Sequence, residues 1–293
     1  MELKQYQQAV LDDLALYIDI LKEQRSNHKA FSTYWRQKGI TLQQGEETFH
    51  PYCDTMSGAP NMTIKVPTAG GKTFIACNAI QTIFDKMPQN LTKVVAWFVP
   101  SDTILKQTYE NLRNPQHPYR QRIDTLFNGR VEVYDKQALL FGQNFNPTII
   151  KEQLSIFVLS IQSFATKATD KRLVYNENEN LAEFAKTYTT DEKRIEGADE
   201  TSLIQVIAHL NPVMIIDESH NFEGDLRIDT LTNINPCFVL NLTATPRNKS
   251  NIISFVDPAS LKREYMVKLP VMVSNYQNHA DVINSAISLR KNL

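Results

Sequence analysis

Short runs of consecutive apolar residues, separated by stretches with helical spacing, most constrain the fold of this 293-residue chain. The clearest run is KVVAWFVP, residues 93–100, which stops at a proline as a strand buried on both faces should. Similar runs are NMTIKV, VEVY, SIFVLS, PVMIID and PCFVLNL. Segments between them, such as KTFIACNAIQTIFDKM, carry apolar residues at helical spacing. The alternation predicts a three-layer α/β fold with a central, mainly parallel sheet.

Composition narrows the class of protein without naming a function. Apolar residues make up 42% of the chain, enough for a substantial core, and the formal net charge of −1 demands no nucleic-acid partner. The three cysteines lack C-x-x-C spacing, which disfavours a zinc site or a disulfide framework. Neither a signal-peptide core nor a membrane-spanning apolar run is visible, so we expect a cytoplasmic protein.

The stretch KVPTAGGKTF, residues 65–74, has the composition of a phosphate-binding loop between a strand and a helix. Glycines let backbone N–H groups surround an anion, and the helix N-terminus adds partial positive charge. We expect Lys72 to reach the β and γ phosphates of a nucleotide and Thr73 to ligate Mg²⁺. The turn residues expected around the phosphates are Thr68, Ala69, Gly70 and Gly71. Because Val66 stands where the strict pattern requires glycine, a plain turn before an ordinary helix stays open.

Two acids follow the apolar run PVMII, at the end of a predicted strand. A nucleotide site of this type needs a carboxylate for Mg²⁺ and a group that orients water, both at the carboxyl end of a neighbouring strand. We assign Asp217 to the metal and Glu218 to the water; surface acids at a polar strand end are the alternative. The next strand end, LTATP, carries Thr243 and Thr245, which are candidates for coupling the acidic loop to hydrolysis. A proline-terminated strand end without function is the alternative there.

The segments PTAGGKT, DESH and TATP, in that order, resemble motifs I, II and III of superfamily-two helicases. FVPSDTILKQTYENL is similar to their motif Ia, VLSIQSF to motif Ib, and LKQYQ to the Q motif. The resemblance implies a RecA-like P-loop NTPase that uses ATP and Mg²⁺. It also implies that Gln7 reads the adenine edge and that His220 couples the ATP site to domain closure.

Motifs Ia and Ib also provide candidates for nucleic-acid contact. Hydroxyl and amide groups suit contacts with phosphates that do not depend on sequence. The candidates are Ser101, Thr103, Gln107, Ser160, Gln162 and Ser163. Helix capping by Ser101 and Ser163 is the alternative, and the two roles are compatible.

Within this superfamily the chain most resembles the Res subunit of type III restriction enzymes. That resemblance implies a motor on double-stranded DNA, a methyltransferase (Mod) subunit as partner, and a second RecA-like domain and a nuclease elsewhere in the protein. Three alternatives stay open: a DEAD/DEAH-type helicase acting on DNA or RNA outside restriction, an ATP-dependent binding or sensor module, and a small-molecule P-loop kinase.

The chain is expected to have three parts. Residues 1–60 form an N-terminal helix with the Q-like motif and a connection, residues 61–260 the RecA-like motor domain, and residues 261–293 the start of a link to a second domain. A polar insertion at about 165–210 is expected to contain one or two helices, with the charged tract 170–200 exposed to solvent.

Overall fold

The computed structural model describes residues 2–45, 49–56, 58–88, 92–160, 173–189, 193–218, 230–266 and 279–291. A seven-stranded sheet forms its centre, and every strand pairing in it is parallel. The strands are β1 (Asn61–Lys65), β2 (Val94–Val99), β3 (Val131–Tyr134), β4 (Leu154–Ser160), β5 (Val213–Asp217), β6 (Phe238–Thr243) and β7 (Ile252–Phe255). Their order is β3-β4-β2-β5-β6-β1-β7. The predicted parallel sheet is thus confirmed.

Helices cover both faces of the sheet. They are α1 (Gln5–Gln24), α2 (Asn27–Gln37), α3 (Lys72–Lys86), α4 (Asp102–Arg113), α5 (Pro118–Leu126), α6 (Lys136–Leu140), α7 (Pro147–Glu152), α8 (Ala182–Ala185), α9 (Leu203–Leu210), α10 (Pro258–Arg263) and α11 (His279–Lys291). Side chains from α1 to α5 and α10 share one core with one face of the sheet, and side chains from α6 to α9 share a second core with the other. This is the three-layer α/β architecture expected from the sequence.

The continuous apolar runs are explained by these two cores. Successive side chains of a strand point to opposite faces, so a strand covered on both sides needs apolar residues at every position. In β2, Trp97 lies in the first core and the next residue, Phe98, in the second, and both are fully buried.

The N-terminal helices pack into the first core. Leu14 and Tyr17 of α1 are fully buried there. On α2, the Tyr34 hydroxyl donates to the Ile253 carbonyl at 2.6 Å and the Trp35 indole to the Ile252 carbonyl at 3.1 Å. Both contacts reach β7, an edge strand that the sequence analysis did not predict. Residues 61–260 therefore share their hydrophobic core with the segment before them, and the predicted boundary at residue 60 stays a prediction.

The register places the carboxyl ends of the central strands at one level. Lys65 at the end of β1 pairs with Thr243 at the end of β6, and Asp217 at the end of β5 pairs with Leu242. On the other side of β5, Val99 of β2 pairs with Ser160 of β4. Segments that leave these strands therefore meet along one edge, where ligands bind in open parallel sheets.

The exposed character expected for residues 170–200 is wrong at several positions. Val174, Leu181, Phe184 and Ile195 are buried and belong to the second core. These apolar residues are spaced without helical or strand periodicity in a polar stretch, so no pattern in the sequence indicates their burial. The helix α9 that follows is also buried along most of its length.

Replacing Phe184 with alanine is expected to lower the free energy of unfolding by about 3–5 kcal/mol, because its ring fills the second core 4.8 Å from the ring of Phe145. Phe141→Ala is the matched control, since that ring is 63% exposed; it should change stability by about 0.5 kcal/mol or less. Urea unfolding of both variants gives the comparison. If Phe184→Ala lowered the free energy of unfolding no more than Phe141→Ala does, the ring of Phe184 would contribute nothing to the core.

Among the described residues, no helix is both long enough and apolar enough to cross a membrane.

Candidate functional site

The loop between β1 and α3 is tightly built and requires its glycines. A Cβ atom at Gly70 would lie 2.5 Å from Cγ1 of Val66, and one at Gly71 would lie 2.6 Å from the side-chain nitrogen of Gln7. Gly71 also has a φ of 72°, in the left-handed region that favours glycine, and Ala69 is held there too at 68°. Because α3 begins at Lys72, the loop delivers the lysine and the unpaired N–H groups of the first helical turn to the carboxyl edge of the sheet.

The acidic pair from β5 meets this loop. Nζ of Lys72 lies 2.7 Å from Oε1 of Glu218, and the lysine side chain is only 11% exposed. The N–H of Glu218 donates to the Leu242 carbonyl at 2.8 Å, and its φ of 54° places it in the left-handed region. Strained backbone of this kind persists where the surrounding structure holds it and is common at functional sites. Lys72 and Glu218 therefore meet at the carboxyl edge of the sheet, but the expectation of a neighbouring strand is wrong, because β6 lies between β1 and β5.

The surroundings of the Asp217 carboxyl group disfavour its charged form. Burial raises the pKa of its carboxyl group to about 6; the negative charge of Glu218 adds to this shift, and Lys72 opposes it. Oδ1 of Asp217 is buried and has no hydrogen-bond partner among the described residues. A cation next to this oxygen would offset the cost of burying the charged carboxylate.

Side chains of the first turn of α1 contact the loop between β1 and α3. The Tyr6 hydroxyl donates to the Gly70 carbonyl at 2.9 Å, and the Gln7 amide lies 3.5 Å from the same oxygen. Oε1 of Gln7 accepts the N–H of Lys4 at 3.0 Å, and the side chain is 1% exposed. Gln7 is thus packed against the loop, and the adenine contact expected of it stays a prediction.

Two adjoining cavities form a cleft in front of these elements. One, of about 430 Å³, lies between the loop, the acidic pair and the side chains of Ile104 and Tyr119. The other, of about 470 Å³, is lined by Gln7 and Glu264 among others. Met266 lines both cavities. The cleft therefore has one compartment lined by Lys72, Asp217 and Glu218, called the phosphate compartment below, beside a second compartment next to Gln7.

The residues predicted for coupling are only partly within the described chain. Thr243 is buried at the end of β6, where its carbonyl accepts the N–H of Val66 at 2.9 Å and its hydroxyl accepts the N–H of Thr245 at 3.2 Å. Thr243 thus contacts the strand that leads into the loop and lies beside the end of β5. Thr245 is exposed. His220 lies outside the described residues, and the coupling roles stay predictions.

The candidates for nucleic-acid contact differ in exposure. Ser101 caps α4 by accepting the N–H of Ile104 at 3.4 Å, which is the capping role weighed from the sequence. Thr103 and Gln107 are exposed on the same helix. Ser160 is buried at the end of β4, which leaves it little surface for a nucleic acid. Gln162 and Ser163 lie outside the described residues.

Three residues at the cleft were not found from the sequence: Tyr6, Tyr119 and Met266. Tyr6 is part of the Q-like segment LKQYQ, so its position beside Gln7 was a usable signal. Tyr119 and Met266 belong to no motif, and only the packing of α5 and of the segment after α10 brings them to the cleft.

Comparison with known proteins gives one family match. The model of the family described as "Type III restriction enzyme, res subunit" matches residues 1–248. No curated protein matches the sequence. Together with the parallel three-layer sheet, the family match confirms the RecA-like fold expected from the helicase motifs.

Two solved structures are similar at low sequence identity. One is a nuclease-deletion mutant of the Type ISP restriction-modification enzyme LlaGI in complex with a DNA substrate mimic, with a TM-score of 0.45 and 11% identity over 100% of this chain and 22% of that chain. The other is the UvsW helicase from bacteriophage T4, with a TM-score of 0.33 and 13% identity over 74% of this chain and 60% of that chain. This chain spans less than two thirds of either protein.

Proposed function

Since the chain belongs to the family of type III restriction enzyme res subunits, and is a helicase-type motor domain, we propose that it hydrolyses ATP to move along double-stranded DNA. The observation that carries this proposal is the 2.7 Å contact between Lys72 and Glu218 at the mouth of a glycine-dependent loop. This contact supports the proposal because an ammonium group suited to phosphates and a carboxylate suited to orienting water lie together at the carboxyl edge of the sheet.

The residues of the cleft have distinct tasks in this reaction. The N–H groups at the start of α3 and the ammonium group of Lys72 bind the β and γ phosphates. Phosphate oxygens then replace Glu218 as the partner of Lys72. The freed carboxylate of Glu218 accepts a hydrogen bond from the attacking water and orients it. Gln7 faces the second compartment, where the adenine base is placed in this proposal.

The residues around Asp217 fit a magnesium ion. Asp217 and Thr73 line the same cavity, and Oδ1 of Asp217 has no hydrogen-bond partner among the described residues. Hard oxygen donors of this kind suit Mg²⁺. We assign Thr73 and Asp217 to hold the ion, Asp217 directly or through water. When bound, Mg²⁺ neutralises negative charge on the phosphates.

In this proposal, the ammonium group of Lys72 is the cation that the described part of the cleft provides for the transition state. Among the described residues that line the phosphate compartment, Lys72 is the only basic one. Superfamily-two helicases, which the chain resembles, use an arginine from a second RecA-like domain to stabilise the transition state. Such an arginine increases the rate by about 10³–10⁵-fold. We therefore propose that the predicted parts 1–60 and 61–260 form one half of the motor and that 261–293 leads towards the other half.

The remaining parts of the proposal concern partners and location. Duplex DNA would contact the exposed residues Thr103 and Gln107 on α4 and the segment that includes Gln162 and Ser163. A methyltransferase (Mod) subunit and a nuclease domain would complete the restriction enzyme, and the cytoplasm would be its compartment.

The steady-state ATPase rate tests this function. Residues 1–293 alone are expected to hydrolyse ATP slowly and to respond little to duplex DNA, because none of the described residues that line the phosphate compartment is an arginine. A second RecA-like domain, joined to it or added, should raise turnover by on the order of 10³-fold, with stimulation by duplex DNA.

Other outcomes of the same assay identify the alternatives. Stimulation by RNA alone would favour a helicase outside restriction. Nucleotide binding without turnover in the two-domain protein would favour a sensor module. Phosphorylation of a metabolite would favour a kinase. Rapid DNA-stimulated turnover by residues 1–293 would contradict the division into two halves.

A further inference from the structure

Glu264 places a carboxylate at the second compartment of the cleft. It follows α10 and lines the same cavity as Gln7, where the proposed function places the adenine base. Its Oε1 accepts the N–H of Gln5, the first residue of α1, at 3.0 Å. The first N–H groups of a helix have no partner within the helix and favour an anionic acceptor. The start of α1 therefore holds the Glu264 carboxylate at the wall of this compartment.

The segment that carries Glu264 is fixed beside the loop between β1 and α3. Leu261 of α10 is buried in the first core, and its Cδ2 would lie 3.5 Å from a Cβ atom on Gly70 of that loop. The N–H of Met266 donates to the Leu261 carbonyl at 2.9 Å, and the N–H of Glu264 donates to the same oxygen at 3.2 Å. The backbone of residues 261–266 therefore gives Glu264 a defined place at the cleft.

Gln7, which the family resemblance assigns to the adenine edge, is engaged in contacts within the chain. Its Oε1 accepts the N–H of Lys4 at 3.0 Å, its amide nitrogen lies 3.5 Å from the Gly70 carbonyl oxygen, and the residue is 1% exposed. Glu264, by contrast, is partly exposed. A base that enters the second compartment therefore reaches the Glu264 carboxylate more readily than the Gln7 amide.

We propose that Glu264 is a specificity-determining residue that accepts a hydrogen bond from the 6-amino group of adenine. This inference rests on the proposed function, because it places the base of ATP in the second compartment. An ionised carboxylate only accepts hydrogen bonds. The 6-amino group of adenine donates, whereas hypoxanthine has an acceptor oxygen at that position, which the carboxylate repels. For a partly exposed charged acceptor, we expect this difference to be about tenfold in affinity.

The test compares the Kd for ADP with the Kd for inosine diphosphate, whose base is hypoxanthine, in the wild type and in Glu264→Gln. Glutamine keeps the size of the side chain and one oxygen for the Gln5 N–H, and an NH₂ group replaces the other oxygen. An NH₂ group cannot accept from the 6-amino group of adenine. We expect the wild type to bind ADP about tenfold more tightly than inosine diphosphate, and the variant to bind the two within about twofold of each other.

Glu2→Gln is the matched control, because Glu2 lines the same compartment and is exposed. It removes one negative charge from the compartment and should leave the preference for ADP unchanged. Thermal melting checks that both variants are folded. Partial unfolding would lower the affinities for both nucleotides equally, so the ratio of the two Kd values reports only on recognition of the base.

Each remaining outcome decides against the inference. A lower melting temperature of Glu264→Gln with an unchanged preference for ADP would show that the carboxylate only caps α1. Loss of the preference in Glu2→Gln would move base recognition to that residue. Equal binding of the two nucleotides by the wild type would exclude recognition of the 6-amino group and leave the ATPase proposal intact. Absence of ADP binding by the wild type would overturn the proposed function and this inference with it.

Discussion

A Lys72→Ala variant should hydrolyse ATP at least on the order of 10²- to 10³-fold more slowly than the parent protein, in the assay with the second domain and DNA. The ammonium group of Lys72 is the one cation of the described phosphate compartment, and its present partner is the Glu218 carboxylate at 2.7 Å. Removing it leaves two acids, Asp217 and Glu218, facing the phosphates without compensation. Repulsion then weakens ATP binding, and the charge that develops on the γ phosphate is unmatched.

The fold should survive this substitution. The raised pKa of Asp217, about 6, lets that carboxyl group take up a proton with little cost when the lysine is lost. Lys86→Ala is the matched control, because Lys86 is on the same helix and pairs with Asp19 away from the cleft. Circular dichroism and steady-state ATPase measurements on both variants separate folding from chemistry. A folded Lys72→Ala protein with parental turnover would remove the phosphate loop from the mechanism.

The parts of the fold that follow from hydrophobic pattern were predictable. The continuous apolar run KVVAWFVP predicts a strand buried between two helical layers. In the structure, Trp97 of β2 lies in one core and Phe98 in the other. β7 escaped prediction because it is a short edge strand that ends in the exposed Phe255. Phe184 and Ile195 escaped it because isolated apolar residues in a polar tract carry no period.

The candidate site also contains some residues that the sequence predicted and others that only the folded chain shows. Lys72, Asp217 and Glu218 were predictable because parallel strands end at one edge of the sheet, so polar residues that follow β1 and β5 lie at the same level on the two sides of β6. The position of Tyr119 at the cleft depends on how α5 packs on α3, which is a long-range contact held by Arg122 and Asn78. No local pattern in a sequence encodes such a contact, so residues of this kind become visible only in the folded chain.

Glu218→Gln is expected to separate binding from hydrolysis. The amide has the size of the carboxylate but lacks the negative charge that orients and polarises water, so turnover should fall by on the order of 10²- to 10⁴-fold. Nucleotide affinity should stay within about threefold or improve slightly, because the substitution also removes the ion pair from which ATP must take Lys72. Glu152→Gln, an exposed change at the end of α7, is the matched control and should alter neither quantity.

Asp217→Asn completes this test because the two acids have different tasks. Asp217 has the buried, unpartnered oxygen assigned to Mg²⁺, so its amide variant should weaken nucleotide binding with Mg²⁺ and leave binding in EDTA nearly unchanged. Glu218 pairs with Lys72, and in the proposed mechanism it is freed for water when phosphate takes its place. Titration of ADP with and without Mg²⁺, beside ATPase rates, reads out both variants. If Glu218→Gln lost Mg²⁺-dependent affinity and Asp217→Asn lost only turnover, the two assignments would have to be exchanged.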